Sequence, residues 1–360
     1  MKQLIVLHDY FERADGGGRL STLLVKGLDA DLCYGFASLL HPFVQGTLQN
    51  PQEIDLKAQS NLPLWRQFKL ARTFENKTEF LNQYETAIYS GFYTPLAVKQ
   101  HLRGKNILYC HTPPRFMYDQ KAFYLQSIPF ILRPLLNAFM NWLQPRYEQA
   151  VENMDLIIAN SQNIQRRIKH YLNVESTVIY PPCEIERFYW NSQGDYYLSF
   201  GRLDPLKRIS RIVEAFLEMP DKKLVIASDG SEFNKIKQQI GNAQNISLLG
   251  KVDEQTLLEL IGNCIATIYI PKDEDFGMSP VESMAAGKPV LGVAEGGLLE
   301  SIIHEETGFL LLPDPNVEMI IEGIHYLTPQ RALEMKESCE KQAQQFSVER
   351  FLNEMKRIIK

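Results

Sequence analysis

Two carboxylates flank a glycine in the second half of the chain, where Glu274 to Glu282 reads EDFGMSPVE. The preceding run, Cys264–Ile270, is apolar and β-branched, which is typical of a buried parallel strand. Pro280 suits the first turn of a helix, because the N–H that it lacks has no partner there. The pattern predicts Glu274 in the loop at the carboxyl end of a strand and Glu282 in the first turn of the next helix. Ligands of open α/β sheets bind at that edge.

Two cations follow another strand in the same half. Segment 199–208 reads SFGRLDPLKR, so Arg202 and Lys207 leave the end of a strand predicted at Tyr196–Phe200. A guanidinium fork and an ammonium point charge at one strand end suit a diphosphate. Solvated surface charge is the alternative interpretation of both side chains.

Three glycines and a histidine follow strands in the first half. Gly16, Gly17 and Gly18 separate a predicted strand, Gln3–His8, from a helical pattern. Backbone N–H groups at a helix start can bind phosphate, although the cluster lacks the spaced dinucleotide fingerprint, and a flexible turn is the alternative. His111 ends the apolar run ILYCH and precedes Thr-Pro-Pro, which predicts an imidazole at the edge of the sheet. A structural histidine is the alternative there.

The composition is that of an ordinary soluble protein. The chain has 360 residues, a net charge of −5 and a sequence pI near 5.9, which offers no basic field for nucleic acid. Its five cysteines form no C-x-x-C pair, which favours reduced, buried thiols in a cytosolic protein. The apolar N-terminal run is too short for a signal peptide, and no apolar stretch reaches the ~18–20 residues of a membrane span.

Strand-like and helix-like patterns alternate along the whole chain, which predicts an α/β fold. The apolar, β-branched runs predict twelve strands, at 3–8, 31–36, 86–90, 106–111, 154–160, 176–180, 196–200, 223–228, 246–249, 265–270, 289–293 and 308–312.

The strands form two series, which predicts two Rossmann-like domains. We expect a first domain at 1–183, completed by a C-terminal helix at 347–360, and a second domain at 196–346. Two prolines followed by polar residues and a glycine predict a connection between them at 184–195. Segment 41–83 has no pattern that we can interpret.

Segment 124–146 is rich in Phe, Leu and Trp. Its nearest charges, Lys121, Arg133 and Arg146, are all positive. The segment predicts either a contact with a membrane interface or a pair of core-facing helices interrupted by Pro134.

Three motifs occur together in the second half, FGRLDPLKR, LLGKVDEQTLLEL and EDFGMSPVESMAAGKPVL. With them the chain resembles, over nearly its whole length, the retaining glycosyltransferases of family four. This resemblance implies the GT-B fold, in which two Rossmann-like domains face each other across a cleft and the second binds a nucleotide sugar. The acidic motif is the most specific of the three.

The resemblance also implies roles for individual residues. Arg202 and Lys207 would bind the diphosphate, while Glu274 and His111 would lie beside the donor sugar. The groups implied in donor binding are the main chain at Lys251 and Val252 for the base, the amides of Phe276, Gly277 and Met278, the carboxylate of Glu282 for the ribose, and Gly16, Gly17 and Gly18 for phosphate. Arg115, Asp119 and Ser161 are expected on the acceptor side.

The implied reaction moves a hexose from a nucleotide sugar to a glycan or lipid-linked acceptor of polysaccharide biosynthesis, with retention and without a metal ion or other cofactor. UDP-glucose is the favoured donor and GDP-mannose the next. We expect the cations and Glu274 on opposite walls of the site. The expected location is cytoplasmic, with 124–146 touching the cytoplasmic face of a membrane.

Four alternatives remain open from the residues. Asp273-Glu274-Asp275 could hold Mg²⁺ or Mn²⁺ in a metal-dependent GT-A transferase. A nicotinamide oxidoreductase, a sugar-nucleotide epimerase and a non-catalytic sugar-nucleotide-binding subunit would use the same type of sheet.

Overall fold

The computed structural model describes residues 2–12, 16–38 and 52–359 of the chain. Contacts divide it into two compact units. The first comprises the described part of Met1–Tyr180 together with Leu352–Lys360, and the second is Pro181–Phe351. The division thus falls three residues before the boundary expected at 183, and the chain returns to the first unit at Leu352.

The first unit contains a seven-stranded sheet. All of its strand pairs are parallel, and the order across the sheet is β3-β2-β1-β4-β5-β6-β7. Its strands are β1 (Lys2–His8), β2 (Asp31–Tyr34), β3 (Glu53–Asp55), β4 (Tyr84–Ser90), β5 (Lys105–Cys110), β6 (Leu156–Ala159) and β7 (Thr177–Val178). Because the pairs are parallel, the carboxyl ends of these strands share one edge.

Helices cover this sheet and bury apolar faces against it. Leu20, Leu24 and Val25 of the first helix, for example, are buried. The helices are α1 (Gly16–Leu28), α2 (Pro63–Asn76), α3 (Lys121–Gln126), α4 (Arg133–Glu152) and α5 (Gln162–Leu172), with 3₁₀ turns at Glu79–Gln83, Thr94–Gln100 and Phe130–Leu132. The expected interruption at Pro134 does not occur. Pro134 lies in the first turn of α4, where proline is tolerated.

The second unit contains a six-stranded parallel sheet of order β10-β9-β8-β11-β12-β13. Its strands are β8 (Tyr196–Ser199), β9 (Lys223–Ile226), β10 (Ile246–Leu248), β11 (Thr267–Ile268), β12 (Val290–Val293) and β13 (Gly308–Leu311).

Nine helices begin among the described residues of this unit. They are α6 (Ile209–Leu217), α7 (Phe233–Ile240), α8 (Glu254–Asn263), α9 (Met278–Ala285), α10 (Leu298–Ser301), α11 (Val317–Tyr326), α12 (Pro329–Glu334), α13 (Lys336–Gln344) and α14 (Val348–Ile359), with 3₁₀ turns at Ile185–Arg187 and Pro205–Lys207. The end of α14 belongs to the first unit, where Lys105 Nζ donates to the carbonyl of Ile358 at 2.6 Å.

Each of the twelve predicted strands has a counterpart in the structure. The sequence missed β3, which has three residues and pairs only at the sheet edge next to β2. It also placed the start of α9 too late. The helix begins at Met278, so Pro280 is its third residue. Glu282 is its fifth residue and lies in the second turn, not in the first turn as predicted.

Segment 184–195, expected to be a connection, is packed into the second unit. Lys288 Nζ donates to the carbonyl of Ser192 at 2.7 Å and lies 5.0 Å from the ring centroid of Trp190. The backbone amide of Gly194 donates to Asn263 at 2.8 Å. The polar composition of this segment therefore does not make it a free linker.

Candidate active site

The predicted residues of the second half lie in loops at one edge of the second sheet. Arg202 and Lys207 follow β8, Lys251 and Val252 follow β10, and Glu274 follows β11. Because β8, β10 and β11 belong to one parallel sheet, these loops leave it at the same edge. The expected position of the acidic loop is confirmed.

Lys207 and Glu274 are in direct contact. Lys207 Nζ lies 2.5 Å from Glu274 Oε2 and 2.9 Å from the hydroxyl of Tyr269. Both charged side chains are largely buried, which strengthens the attraction between them. The expectation of opposite walls was wrong, because one short ion pair joins the cation and the acid within a single unit.

Tyr269 holds this pair and was missed by the sequence analysis. Its ring lies beneath two glycines, since an added Cβ at Gly201 or Gly277 would approach it to 3.1 and 3.3 Å. Burial, followed by the charge of Glu274, raises its pKa well above the usual value, so the hydroxyl keeps its proton. Its position inside an apolar run gave no signal of a polar role.

Among the described residues, Arg202 forms no hydrogen bond or ion pair with this cluster, and only its charge acts on Tyr269. Its side chain is 80% exposed and lies 3.8 Å from the carboxylate of Asp204. Asp204 in turn accepts from the backbone amide of Leu206 at 3.1 Å and so caps the turn that carries Lys207. The two cations expected at one strand end therefore differ, since one is fixed and the other is exposed.

A buried ion pair fixes the acidic loop from behind. Arg208 Nη1 lies 2.9 Å from Glu295 Oε1 and 3.3 Å from the carbonyls of Ile270 and Pro271. Glu295 Oε2 accepts from the backbone amide of Asp273 at 3.0 Å. Removing Arg208 would leave the carboxylate of Glu295 buried without its cation, which is costly. The order Lys207-Arg208 in the sequence did not reveal that the second cation is structural.

Two glycines support the same loop. The amide of Gly297 donates to the carbonyl of Glu274 at 2.9 Å. A Cβ at Gly296 would lie 2.2 Å from that carbonyl oxygen, and one at Gly297 would lie 2.4 Å from the Cα of Phe276. Only glycine permits this approach of two backbones. The Gly296-Gly297 pair after β12 is the one sequence signal that could have indicated this close approach of two backbones.

The remaining predicted donor groups have separate structural roles as well. Phe276 is buried, with its ring 5.4 Å from that of Phe346. Gly277 has φ +87° and forms the N-cap of α9, which begins at Met278, so their amides lie at the start of that helix. Glu282 is half-buried on α9. Anions bind favourably at such helix starts.

The loop after β10, which contains Lys251 and Val252, lies at the carboxyl edge of the sheet. Gly250 has φ +72°, and the exposed Lys251 follows it. Val252 packs partly against the apolar cluster that contains Leu198 and Ile261. The valine side chain anchors this loop, which leaves backbone groups for a ligand.

In the first unit, the three glycines form the beginning of α1. Gly16 is exposed, and a Cβ there would meet nothing within 4 Å. The first N–H groups of a helix have no partner within it, so these amides can serve an anion. The neighbouring residue Asp15 lies outside the described part of the chain.

His111 follows β5 at the carboxyl edge of the first sheet, as predicted. Its Nε2 is 2.9 Å from the hydroxyl of Ser90, the last residue of β4. The ring centroid of Tyr109 is 5.3 Å from that of the imidazole. His111 is thus held by the neighbouring strand.

The acceptor-side residues are engaged with near neighbours. Arg115 Nη2 and Asp119 Oδ2 form an ion pair at 2.6 Å. Ser161 is fully buried and caps α5, since its hydroxyl accepts from the amide of Ile164 at 3.0 Å. The hydroxyl of Ser161 therefore serves the helix, whereas Arg115 and Asp119 remain acceptor candidates.

Within the described ranges, no three His, Cys, Asp or Glu side chains lie close enough together to hold a metal ion. All five cysteines are free and buried, as predicted. Burial raises the pKa of Cys264 to about 12, which keeps that thiol protonated.

Comparison with known proteins identifies the second unit. Residues 184–346 match the family model described as glycosyl transferases group 1. This part of the chain is similar to that family. The match contains Arg202, Lys207, Glu274 and Glu282 and ends before α14.

Two relatives are similar to more than half of this chain. The alpha-1,3/1,6-mannosyltransferase ALG2 of Homo sapiens is 25% identical, over 59% of this chain and 57% of its own length. An uncharacterised glycosyltransferase of Methanocaldococcus jannaschii is 30% identical, over 51% of this chain and 54% of its own. The chain therefore spans little more than half the length of these relatives.

Solved structures share the fold of the whole chain. HepE of Anabaena, solved in complex with UDP and glucose, has a TM-score of 0.75 at 17% identity and covers 99% of both chains. Sucrose-phosphate synthase of Thermosynechococcus elongatus has a TM-score of 0.79 at 18% identity, over 99% of this chain and 98% of its own. The predicted GT-B fold is confirmed.

Proposed function

We propose that this protein is a retaining glycosyltransferase that moves a hexose from a nucleoside diphosphate sugar to a glycan or lipid-linked acceptor. The observation that carries the proposal is the contact of Lys207 with Glu274 at the carboxyl edge of the second sheet. A cation and an acid held 2.5 Å apart fit a ligand that joins a diphosphate to a sugar.

The chemistry requires stabilisation of the departing diphosphate. Fixed donors aimed at developing negative charge act strongly in a site that excludes water. Lys207 supplies one such donor, and Arg202, at 80% exposure, can move to the phosphates as a second. Glu274 sits where it can accept a sugar hydroxyl and balance positive charge at the anomeric carbon.

Retention by attack on the same face completes the proposal. Same-face attack needs no covalent nucleophile from the protein. Tyr269 keeps its proton, and we assign Glu274, which is bonded to the ammonium of Lys207, to the sugar hydroxyls and not to covalent attack. The departing phosphate oxygen then takes the proton of the acceptor hydroxyl. An NMR time course should show a product with the anomeric configuration of the donor, and an inverted product would refute this step.

Two donors have support. Mannosyltransferases among the relatives favour GDP-mannose, while a structural neighbour that contains UDP and glucose favours UDP-glucose. A thermal-shift screen of UDP-, GDP- and ADP-sugars decides between them, because a ligand at 100 times its dissociation constant adds ~2.7 kcal/mol to the native state. Lys207→Ala serves as the control, since it should abolish the shift that the true donor produces.

Turnover tests the catalytic part of the proposal. Release of nucleoside diphosphate from the selected donor should depend on added acceptor, whereas an epimerase would convert the sugar without one. A non-catalytic binding subunit would show a shift in melting temperature with the donor but would release no nucleoside diphosphate. We also propose that the reaction needs no metal ion, so full activity in EDTA is expected, and loss of activity in EDTA would contradict it.

We further propose that the protein contacts the cytoplasmic face of a membrane. Phe130 and Ile131 are 81% and 83% exposed beside α3 and α4, and Leu135 is exposed as well. Large apolar side chains at such exposure mark an interaction surface. Within the described residues, no helix has the length and hydropathy needed to cross a bilayer, so the surface would act at the interface.

The second helix extends this surface. Trp65 of α2 is 55% exposed and stacks on Phe68, whose ring is 4.9 Å from that of Trp142 on α4. Residues 56–74 and 120–147 contain seven Lys or Arg and no Asp or Glu. In the described part of the chain, neither Lys121 nor Arg133 forms an ion pair. Exposed tryptophan and unpaired cations suit an anionic lipid surface.

Vesicle sedimentation tests the membrane contact. The protein should bind phosphatidylcholine vesicles that contain phosphatidylglycerol, and high salt should weaken this binding. Ile131→Asp should reduce it. Leu312→Asp is the matched control, because Leu312 is 67% exposed in the second unit. Equal binding by both variants, or no binding by the wild type, would overturn the proposal.

A further inference from the structure

A buried chain of hydrogen bonds lies behind His111. Ser90 Oγ is 2.9 Å from His111 Nε2, Ser21 Oγ is 2.9 Å from Ser90 Oγ, and His8 Nδ1 is 3.0 Å from Ser21 Oγ. Ser21 and Ser90 are fully buried, and His8 is nearly so. The proposed reaction makes no use of Ser21, Ser90 or His8.

The chain of bonds joins four elements at one edge of the sheet. His8 ends β1, Ser90 ends β4 and His111 follows β5, and these strands are neighbours in the sheet. His8 and Ser90 are partners in the register of β1 with β4. Ser21 lies on α1, one turn after the three glycines. The network therefore connects the glycine helix start to the histidine.

The protons in this network are constrained. His8 Nδ1 is also 3.0 Å from the carbonyl of Ser90, which can only accept, so Nδ1 carries a proton. The Ser90 carbonyl and Ser21 Oγ share this one proton of His8. Ser21 Oγ has one proton of its own to donate, either to Ser90 Oγ at 2.9 Å or to the carbonyl of Gly17 at 3.0 Å.

Two complete arrangements follow. In one, Ser21 donates to Ser90, and Ser90 donates to an unprotonated Nε2 of His111. In the other, a protonated Nε2 donates to Ser90, Ser90 donates to Ser21, and Ser21 donates to the carbonyl of Gly17. Each arrangement leaves both serine hydroxyls, His8 Nδ1 and His111 Nε2 paired, which avoids the cost of an unsatisfied polar group.

We propose that Ser90 and Ser21 are positioning residues that fix the imidazole of His111. By rotating, their two hydroxyls allow a hydrogen bond between Ser90 and Nε2 whether or not Nε2 carries a proton. The proposal rests on the proposed function only in that His111 acts beside the donor sugar. Other titratable groups near the network are His8, Asp9, Tyr109 and Cys110. The carboxylate of Asp9 accepts from the backbone amides that follow Ser90, and burial raises the pKa of Tyr109 well above its usual value. Tyr109 is therefore neutral and does not compete for the proton.

Two variants test the network by NMR titration of the His111 ring in the ligand-free full chain. In Ser90→Ala, Nε2 loses its serine partner in both protonation states, and the bond lost by the charged ring is the stronger one. The pKa of His111 should therefore fall by ~1 unit, the scale of one lost hydrogen bond. In Ser21→Ala, Ser90 has no acceptor for its own proton when Nε2 is protonated, so the pKa should fall as well. Unchanged titration of His111 in both variants would overturn the proposal.

A control and a second readout separate this test from the proposed function. Ser301→Ala removes a buried hydroxyl of α10, in the second unit, that lies 3.5 Å from the carbonyl of Leu298, and should leave His111 unchanged. The titration requires neither the sugar donor nor the acceptor substrate, so it tests the network even if no glycosyl transfer is found. If transfer is found, Ser90→Ala should lower kcat ~10-fold and leave KM for the donor nearly constant.

Discussion

Among single residues, the ion pair of Lys207 with Glu274 is central to the proposed activity. Lys207→Ala and Glu274→Ala should each lower turnover ~10²-fold or more, the scale of losing one transition-state contact. Because the two side chains touch, the double variant should lose less than the product of the single losses. Steady-state kinetics of the three variants measure this, and near wild-type rates in either single variant would contradict the assignment.

Tyr269 provides a second test at this scale. Tyr269→Phe keeps the ring beneath Gly201 and Gly277 and removes the hydroxyl that accepts from Lys207. We expect kcat/KM to fall ~10-fold, which corresponds to ~1.4 kcal/mol, with the melting temperature nearly unchanged. An equal fall in stability and activity would mean that the hydroxyl serves the core.

The sequence predicted residues of this site where side-chain type and position relative to a strand agree. Lys207 and Glu274 are charged and follow strands, so the pattern was sufficient. It could not separate the fixed Lys207 from the exposed Arg202, because their environments depend on Asp204 and Tyr269. No pattern in the sequence indicated a role for Ser90 and Ser21, since only the folded structure places these buried serines in a hydrogen-bonded chain with His111.

At the scale of elements, the loop after β11 is held by the glycines after β12. Gly297→Ala should displace this loop, because its Cβ would lie 2.4 Å from the Cα of Phe276 and neither backbone can yield without losing its hydrogen bond. We expect a loss of both stability and donor binding, measured by urea unfolding and calorimetry. Gly16→Ala is the stability control, since its Cβ meets nothing within 4 Å.

Element types were predictable from the sequence, whereas element ends were not. Apolar, β-branched runs gave twelve strands correctly, because burial in a parallel sheet needs that composition. The start of α9 was misplaced because Pro280 is acceptable anywhere in the first turn, while the actual start is set by the positive φ of Gly277.

At the scale of the whole molecule, a buried lysine links segment 184–195 to the second unit. Lys288 is 1% exposed, and burial lowers its pKa to about 8 from 10.5. Between these two values the unfolded chain binds the proton that the folded chain releases. The contribution of Lys288 to the free energy of unfolding therefore rises with pH from 8 to 10.5 and is lost as pH falls through 8.

Lys288→Met isolates this effect, because other groups titrate equally in both proteins. Urea unfolding at pH 7 and pH 9.5 should show the wild type gaining stability relative to the variant at the higher pH. Equal differences at the two pH values would show that Lys288 does not change its protonation on folding.

The division into two α/β units was predictable from the alternation of strand and helix patterns. The role of segment 184–195 was not, since two prolines precede it and its polar residues look like a linker. Contacts such as those with Lys288 and Asn263 show that it is packed.

The most direct test of the account is a crystal structure of the protein soaked with its donor sugar nucleotide. We predict that the phosphates lie within hydrogen-bonding distance of Lys207 Nζ, with Arg202 turned towards them and the hexose beside Glu274. Phosphates bound away from Lys207, with the ion pair of Lys207 and Glu274 unaltered, would contradict it.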